Sequence, residues 1–308
     1  MKIGIDIGGT KCSVVSGDRT HIEKKIKFDT TTCKQTLEHI FSAVEELGCG
    51  DSVGVSCGGP LDSEKGIILS PPNLVGWNDV RITDMIRKKF GVPAYLCNDA
   101  NACALAEWKY GAGRGAKNMV FLTFGTGLGA GIILNGKLYE GTCGTAGEIG
   151  HIRLSDYGPV GYGKRGSAEG FCSGGGLAQL GKTLALERLQ QGVTLPYCNT
   201  LAELDGINAR LLADWARKGD KTALEAYEIC GEMLGRTLSV IIDFLNPEVI
   251  VIGSIFARAE DLLRPSAEKI INREALAAAS SACRIVPAET GENIGDYAAL
   301  AAAYIGEE

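Results

Sequence analysis

The chain has 308 residues, a net charge of −6, 45 % apolar and 22 % charged side chains. That balance belongs to a soluble globular protein long enough for two domains of ordinary size. The negative charge argues against nucleic acid as main partner, and no uninterrupted run of about 18 apolar residues suggests a membrane span. The opening MKIGIDIGGT reads as a strand entering a Gly turn and lacks the apolar region of a secretory signal. Eleven cysteines, an odd number without C-x-x-C spacing, lie mostly in apolar segments such as those around Cys57, Cys97, Cys103 and Cys230. They read as small buried hydrophobes in a reducing cytoplasm, not as a disulfide framework.

In chain order, KIGIDI and KCSVVS are β-rich runs joined by Gly8-Gly9-Thr10, and Lys24-Lys25-Ile26-Lys27 reads as a solvated strand face. A helical pattern spans about Lys34 to Leu47, DSVGVSC is a strand, and Asp79 to Phe90 is helical up to Gly91. PAYLC is a buried strand, followed by a small-residue helix from Asp99 to Tyr110. The segment GAGRGA then marks a domain boundary. From Asn118 a strand, a Gly loop, a second strand, an Asn135-Gly136 hairpin turn and a third strand follow. Helices are expected at about Gly176 to Gln191, Ala209 to Lys218, Lys221 to Leu245 and Ala259 to Ser280. Strands EVIVIG and RIVPA and a last helix in DYAALAAAYIG complete the pattern. Alternating strands and helices imply an α/β fold. IDIGGTKCSVV and LTFGTGLGAGIIL match in kind, which indicates a duplicated architecture of β-hairpin/α units. The expected domains are residues 1–115 with a C-terminal helix at about 293–308, and residues 116–292 with helical additions.

Four motifs carry chemistry. In DIGGTK, Gly8 and Gly9 let backbone N–H groups approach a phosphate, Thr10 offers a hydroxyl, Lys11 a cation, and Asp6 a carboxylate for a Mg²⁺-bound water; an ordinary Gly hairpin is the competing reading. FGTGLGAG nearly fits a dinucleotide fingerprint through Gly125, Gly127 and Ala130, with Glu148 about twenty residues on. That fingerprint opens a helix, however, and here GIILNGKLYEG continues as a β-hairpin. A second phosphate-binding hairpin, through Gly125, Thr126 and Gly127, accounts for both motifs. In LCNDANACALAE, Asn98 and Asp99 fall where a strand stops and a helix starts. One of them caps that helix, or Asp99 takes a proton from a hydroxyl while Asn98 orients the ligand. A solvent-facing carboxylate with a pKa of about 4 is a weak base, but phosphoryl transfer depends more on positioning the hydroxyl. The fourth is the Gly-rich stretch from Gly147 to Gly176, with Glu148, His151 and Glu169, joined by SCGGPLD and SPPNLVGW. Carboxylate, imidazole and amide groups suit a polyhydroxylated ligand; a metal loop or a plain surface loop is also open.

Together DIGGTK, CNDANA, FGTGLGAG, GEIGH and EGFCSGG resemble, in family order and over essentially the whole chain, the ROK family (repressors, open reading frames, kinases). The resemblance implies a two-domain actin-like ATPase (ribonuclease H-like) fold with a cleft between domains. It implies a glucokinase-like, Mg²⁺-dependent transfer of the ATP γ-phosphoryl group to the 6-hydroxyl of a hexose or N-acetylhexosamine. Asp99 is then the general base, and Gly59, Asn73, Asn98, Glu148, His151 and Glu169 match sugar-side positions. Asp6, Gly8, Gly9, Thr10, Lys11, Gly125, Thr126 and Gly127 match the phosphate side, with Gly253 and Ser254 on the adenosine side, where Ser254 replaces a usual glycine.

The family often carries a structural zinc site of one histidine and three cysteines after GEIGH. Aligned on Glu169, those cysteine positions hold Val160, Tyr162 and Ser167, which are poor zinc ligands. No structural zinc is expected. The expected partners are a small-molecule sugar and ATP, with no nucleic acid or membrane, in a cytoplasmic homodimer. The alternatives are a sugar-sensing regulator of the same family or a non-catalytic sugar-binding protein; the short lead before the first strand leaves no room for a helix-turn-helix module.

Overall fold

The structure is a computed structural model describing residues 1–307. It divides into two compact units. One holds Met1–Phe121, Gly131–Ala146 and the segment from Ala288; the other holds Leu122–Ala130 and Gly147–Pro287.

The first sheet uses β1 (Lys2–Ile7), β2 (Lys11–Gly17), β3 (Ile22–Asp29) and, after helix α1 (Cys33–Leu47), β4 (Val53–Cys57). A small antiparallel pair, β5 (Leu61–Asp62) and β6 (Ile67–Ile68), precedes α2 (Ile82–Phe90), β7 (Ala94–Asn98) and α3 (Asp99–Tyr110). The strand order is β3-β2-β1-β4-β7. β1 pairs antiparallel with β2, β2 antiparallel with β3, and β1, β4 and β7 run parallel. The parallel strands read as continuous apolar runs because both faces are covered. Ile3, Ile5, Val53, Val55 and Ala94 have no exposed surface. Thr32 caps α1, whose Leu37, Ile40 and Val44 face the core.

Helix α2 begins three residues later than the pattern suggests. Asp79 adopts φ +52° and Val80 bridges to Ile68, so that backbone is committed to the small β-pair. Gly91, at φ +71°, ends the helix as expected.

The second sheet begins with β8 (Met119–Phe124), β9 (Leu128–Leu134) and β10 (Lys137–Leu138). The turn Asn135-Gly136 has φ +52° and +75°, the left-handed pair that a two-residue hairpin requires. The Gly-rich stretch then forms a small hairpin of β11 (Val160–Gly161) and β12 (Lys164–Arg165), followed by α4 (Ala168–Phe171) and α5 (Gly174–Gln190). Next come α6 (Ala209–Ala216), α7 (Lys221–Leu245), β13 (Val249–Ile252), α8 (Ile255–Glu274), α9 (Ala277–Ala282) and β14 (Arg284–Pro287). The order β10-β9-β8-β13-β14 repeats that of the first sheet, two hairpin-joined neighbours and then two further strands beside the founder. The duplicated architecture anticipated from the two Gly/Thr hairpins is therefore present.

The single helix expected over Ala259 to Ser280 is two helices. The chain turns at Ala275, in extended conformation, and the Asp243 carboxylate accepts the N–H of Leu276 there. α8 is entered through a short turn from Ile255 and breaks at Ala259, the expected start, where φ is −135° and ψ 30°; Pro265 lies inside the helix that follows.

Finally α10 (Ile294–Ala302) returns to the first sheet. Its Ala298 to Ala302 are fully buried. It lies directly on β1 and β4 because both present glycine: a Cβ on Gly4 would stand 2.4 Å from the Leu300 nitrogen, and one on Gly54 2.2 Å from that of Ala303. No helix among the described residues is long and apolar enough to cross a membrane.

Candidate active site

In the first unit, strand register brings three of the motifs together. Ile7 pairs with Cys57, and Cys57 with Asn98, so DIGGTK, SCGGPLD and CNDANA leave the sheet side by side at the carboxyl ends of β1, β4 and β7. In α/β sheets that edge is where ligands bind. A Cβ on Gly9 would meet the Asn73 carbonyl oxygen at 2.7 Å. Asn98 Nδ2 lies 3.5 Å, and Asp99 Oδ2 3.8 Å, from the Cβ positions of Gly59 and Gly58 respectively. Asp6, Gly8, Gly9, Asn73, Gly59, Asn98 and Asp99 thus form one cluster.

The turn after β1 is closed by the Gly8 N–H on the Lys11 carbonyl at 3.1 Å, and the Thr30 hydroxyl donates to the Gly8 carbonyl at 2.6 Å. Thr10 and Lys11 stay exposed. Asp6 is half-buried, and among the described residues no donor reaches its carboxylate. Burial pushes its pKa up to about 6, helped by the charges of Asp296 and Asp99 and opposed by Lys25 and Lys27. Asp296 is itself held by the Ser13 hydroxyl at 2.6 Å and by the Lys25 ammonium. A carboxylate without protein donors beside a Gly turn fits a water of a hydrated divalent cation, so the residues present suit Mg²⁺ brought with a triphosphate.

Asn98 does cap α3: its Oδ1 accepts the Ala100 N–H at 3.1 Å, and Asp99 Oδ1 accepts the same N–H at 2.8 Å. The capping reading and the functional one are compatible, since Asn98 Nδ2 and Asp99 Oδ2 remain available. As expected, the Asp99 side chain faces solvent, but its electrostatics are not ordinary. Solvent reaches its side chain, yet enough protein surrounds it that desolvation raises its pKa, partly offset by the Ala100 N–H.

In the second unit a separate cluster forms around the hairpin turn Gly125-Thr126-Gly127 between β8 and β9. Gly125 N–H donates to the Gly127 carbonyl at 3.1 Å, and the Gly125 carbonyl accepts the Gly174 N–H at 2.8 Å. GEIGH is laid on the outgoing strand: the Ala130 N–H donates to the Gly147 carbonyl at 3.0 Å. Glu148 and His151 are exposed, at either end of a single 3₁₀ turn over Ile149–His151. Glu169, in the first turn of α4, accepts the Leu128 N–H on Oε2 at 3.0 Å. Gly253 N–H pairs with the Leu122 carbonyl at 2.9 Å, and the Ser254 hydroxyl lies 3.6 Å from a Cβ built on Gly125. Ser254 takes φ +56° and ψ −111°, a conformation natural only to glycine.

The stretch aligned with the zinc loop is folded by hydrogen bonds. Tyr162 and Gly163, at φ +43° and +73°, form the two-residue turn between β11 and β12. The Gln179 side-chain amide clasps Val160, accepting its N–H at 2.9 Å and donating to its carbonyl at 2.9 Å. Lys164 donates to the His151 carbonyl at 2.7 Å, Arg153 to that of Arg165 at 2.8 Å, and Ser167 caps α4. Cys172 is buried and donates its thiol to the Cys230 carbonyl. Val160 presents its backbone to Gln179, and the Ser167 hydroxyl accepts the Gly170 N–H at 3.0 Å, so neither is arranged as a ligand of zinc.

Sequence reading missed three polar groups. Glu107, fully buried, accepts four donors, three from Glu289 and Thr290 and one from the Ala112 N–H. The others are Asp296, beside Asp6, and Gln179 of α5. Only the abrupt charge in the run of small residues 100–106 pointed to Glu107.

The ROK family profile matches residues 2–304 of the chain. The glucokinase of Thermotoga maritima is 34 % identical over 284 residues, covering 88 % of this chain and 87 % of that protein. The crystal structure of a ROK family glucokinase from Streptomyces griseus with glucose and AMPPNP superposes with a TM-score of 0.75 at 28 % identity, covering 98 % of each chain. The DNA-binding transcriptional dual regulator NagC of Escherichia coli is 30 % identical over 268 residues, covering 83 % of this chain and 63 % of the regulator. Fold and motifs define a two-domain protein of the actin-like ATPase class. The chain belongs to the ROK family.

Proposed function

We propose that the chain is an ATP-dependent kinase of a hexose or N-acetylhexosamine. The observation that carries this reading is the Ile7–Cys57–Asn98 register, which sets Asp6 and its Gly turn beside Asp99 on one sheet edge. The glucokinase relatives support the same reading.

Sugar binds to Asn98, Asn73 and the Gly59 wall, with Glu148, His151 and Glu169 taking further hydroxyls. Gly8–Lys11 and Gly125–Gly127 hold the triphosphate through backbone N–H groups, the Thr10 and Thr126 hydroxyls and the Lys11 ammonium, and Gly253 and Ser254 lie on the adenosine side. Asp6 would hold a water of Mg²⁺ brought with the triphosphate, an ion that would supply charge neutralisation to the transferring group. Asp99 Oδ2 accepts the proton of the 6-hydroxyl as that oxygen attacks the γ-phosphorus, and ADP leaves. Its raised pKa keeps the proton transfer closer to thermoneutral than an ordinary aspartate allows. We further assign the protein to the cytoplasm as a homodimer without structural zinc; light scattering tests the assembly.

The deciding experiment is coupled ADP release with Mg-ATP over glucose, mannose, fructose, allose, N-acetylglucosamine and N-acetylmannosamine. At least one should turn over well above the water background, and Asp99→Asn should remove turnover while sugar still binds. Near-wild-type rates in that variant would exclude Asp99 as base. The NagC match favours a second reading, a sugar sensor; sugar-induced thermal stabilisation with no turnover on any sugar would select it.

A further inference from the structure

Glu169 stands between two surfaces to which the kinase reading gives different ligands. Its Oε2 accepts the N–H of Leu128, the residue that ends the Gly125–Gly127 turn, at 3.0 Å. The approach is possible only because Gly127 has no side chain: a Cβ there would lie 2.5 Å from Oε2. On the other side, a Cβ on Gly150 would stand 2.0 Å from the Leu128 carbonyl and 3.3 Å from the Glu169 Cβ, so the GEIGH turn is pressed against the same two residues. Ser167, capping α4, and Gly161, packed on the Glu169 backbone, hold the helix turn that carries the side chain. Among the described residues no donor reaches Oε1. A carboxylate has about four acceptor sites, and here one oxygen is spent on the hairpin while the other is open.

We infer that Glu169 couples sugar binding to the phosphate-side hairpin. This rests on the kinase reading and adds to it a regulation of the same site. A sugar hydroxyl donating to Oε1 fixes the carboxylate plane. Through Oε2 that restraint passes to the Leu128 N–H and stiffens the Gly125–Gly127 turn, whose glycines otherwise leave it loose. Nucleotide binding to a turn already ordered loses less conformational entropy, so the two ligands bind with positive cooperativity. Linkage makes the effect reciprocal: the nucleotide tightens sugar by the same factor. The arrangement also disfavours loading of the triphosphate before an acceptor is present, which limits wasteful hydrolysis.

The test is calorimetric titration of Mg-AMPPNP into the protein alone and into protein saturated with glucose, or with whichever sugar turns over best. Wild type should bind nucleotide at least about fivefold more tightly with sugar, within the usual range of such couplings. Glu169→Gln replaces the charged acceptor by a neutral amide, and Gly127→Ala drives the carboxylate off Leu128 from the other side; each should bring the ratio close to one at saturating sugar. Glu148→Gln, which weakens sugar without touching the hairpin, should keep the wild-type ratio. Hydrogen exchange supplies a second readout: sugar alone should slow exchange across residues 125–130 in wild type and not in Glu169→Gln. A ratio of one in wild type, a ratio unchanged in both hairpin variants, or no sugar effect on residues 125–130 overturns the coupling while leaving the kinase reading intact. Coupling without turnover on any sugar strikes the kinase reading alone, and absence of sugar binding sinks both.

Discussion

Glu107 Oε1 accepts both the backbone N–H and the hydroxyl of Thr290, at 2.9 and 2.5 Å. Its Oε2 accepts the N–H groups of Ala112 and Glu289 at 2.9 and 3.2 Å. One fully buried carboxylate thereby ties the end of α3 to the chain where it re-enters the first unit, after Pro287. Glu107→Gln keeps the volume but turns an amide NH₂ towards donors. It should cost about 2–4 kcal/mol, the scale of unsatisfied buried groups bonded to a charge. Urea denaturation measures this; a loss below about 0.5 kcal/mol would mean the four contacts are replaceable by solvent.

Asp6 gives a pH signature. Its carboxyl is raised to about 6 in the fold, so the native state holds that proton more tightly than the unfolded chain. The associated stability is fully present below the ordinary carboxyl value, 3.8, and lost as pH rises through about 6. Asp6→Asn should therefore be more stable than wild type at pH 8, by on the order of 2 kcal/mol, and the difference should vanish near pH 4. Thermal denaturation of nucleotide-free, magnesium-free protein at both pH values checks the sign. Turnover should fall on the order of 100-fold in the same variant, as when one preorganised electrostatic contact is removed.

Ser254 holds a glycine conformation with a side chain attached. Ser254→Gly should relieve strain of about 1–3 kcal/mol, less the greater freedom glycine has when unfolded. The net gain should be about 0.5–2 kcal/mol, although the Arg258 contact to the Ser254 hydroxyl is lost. A lower denaturation midpoint in the variant would show that the conformation is not strained in solution.

The loop over 152–167 depends on Gln179. Gln179→Leu removes both bonds to Val160 and should cost about 1–2 kcal/mol. The effect on catalysis should be a raised KM for sugar with kcat little changed, because the loop packs on His151 and Glu169, the proposed sugar-side residues. Proteolysis should nick the variant within 153–166 first. Elemental analysis of tag-free protein should find no stoichiometric zinc, and about one zinc per chain would overturn a loop held by polar groups alone.

Most of the strands could be read from local pattern, although their order in the sheets could not. The parallel strands announced themselves as short apolar runs ended by Gly or Asn, and the two Gly/Thr hairpins betrayed the duplication. Boundaries failed where tertiary pairing took the backbone first, as at Asp79–Val80, and where one helical pattern concealed a turn at Ala275. In the site, the motif residues were legible because glycine and polar residues crowd together there. What could not be read was the company they keep. Nothing local says that Asp296, 283 positions from Ser13, lies beside Asp6, or that the carboxylate of Glu169 reaches Leu128. Nor does sequence reveal that a Tyr-Gly turn with left-handed tyrosine closes the loop, since tyrosine seldom accepts that conformation.

The C-terminal helix has a consequence for how the protein comes into being. Gly4 and Gly54 leave a groove on the first sheet that only the backbone of α10 fills. During synthesis the ribosome makes β1 and β4 long before α10. Until then the strip of β1 and β4 at those glycines is uncovered, so the first unit cannot close before α10 arrives. The nascent chain should bind holdase chaperones through this strip, and release from them should coincide with arrival of the alanine-rich segment.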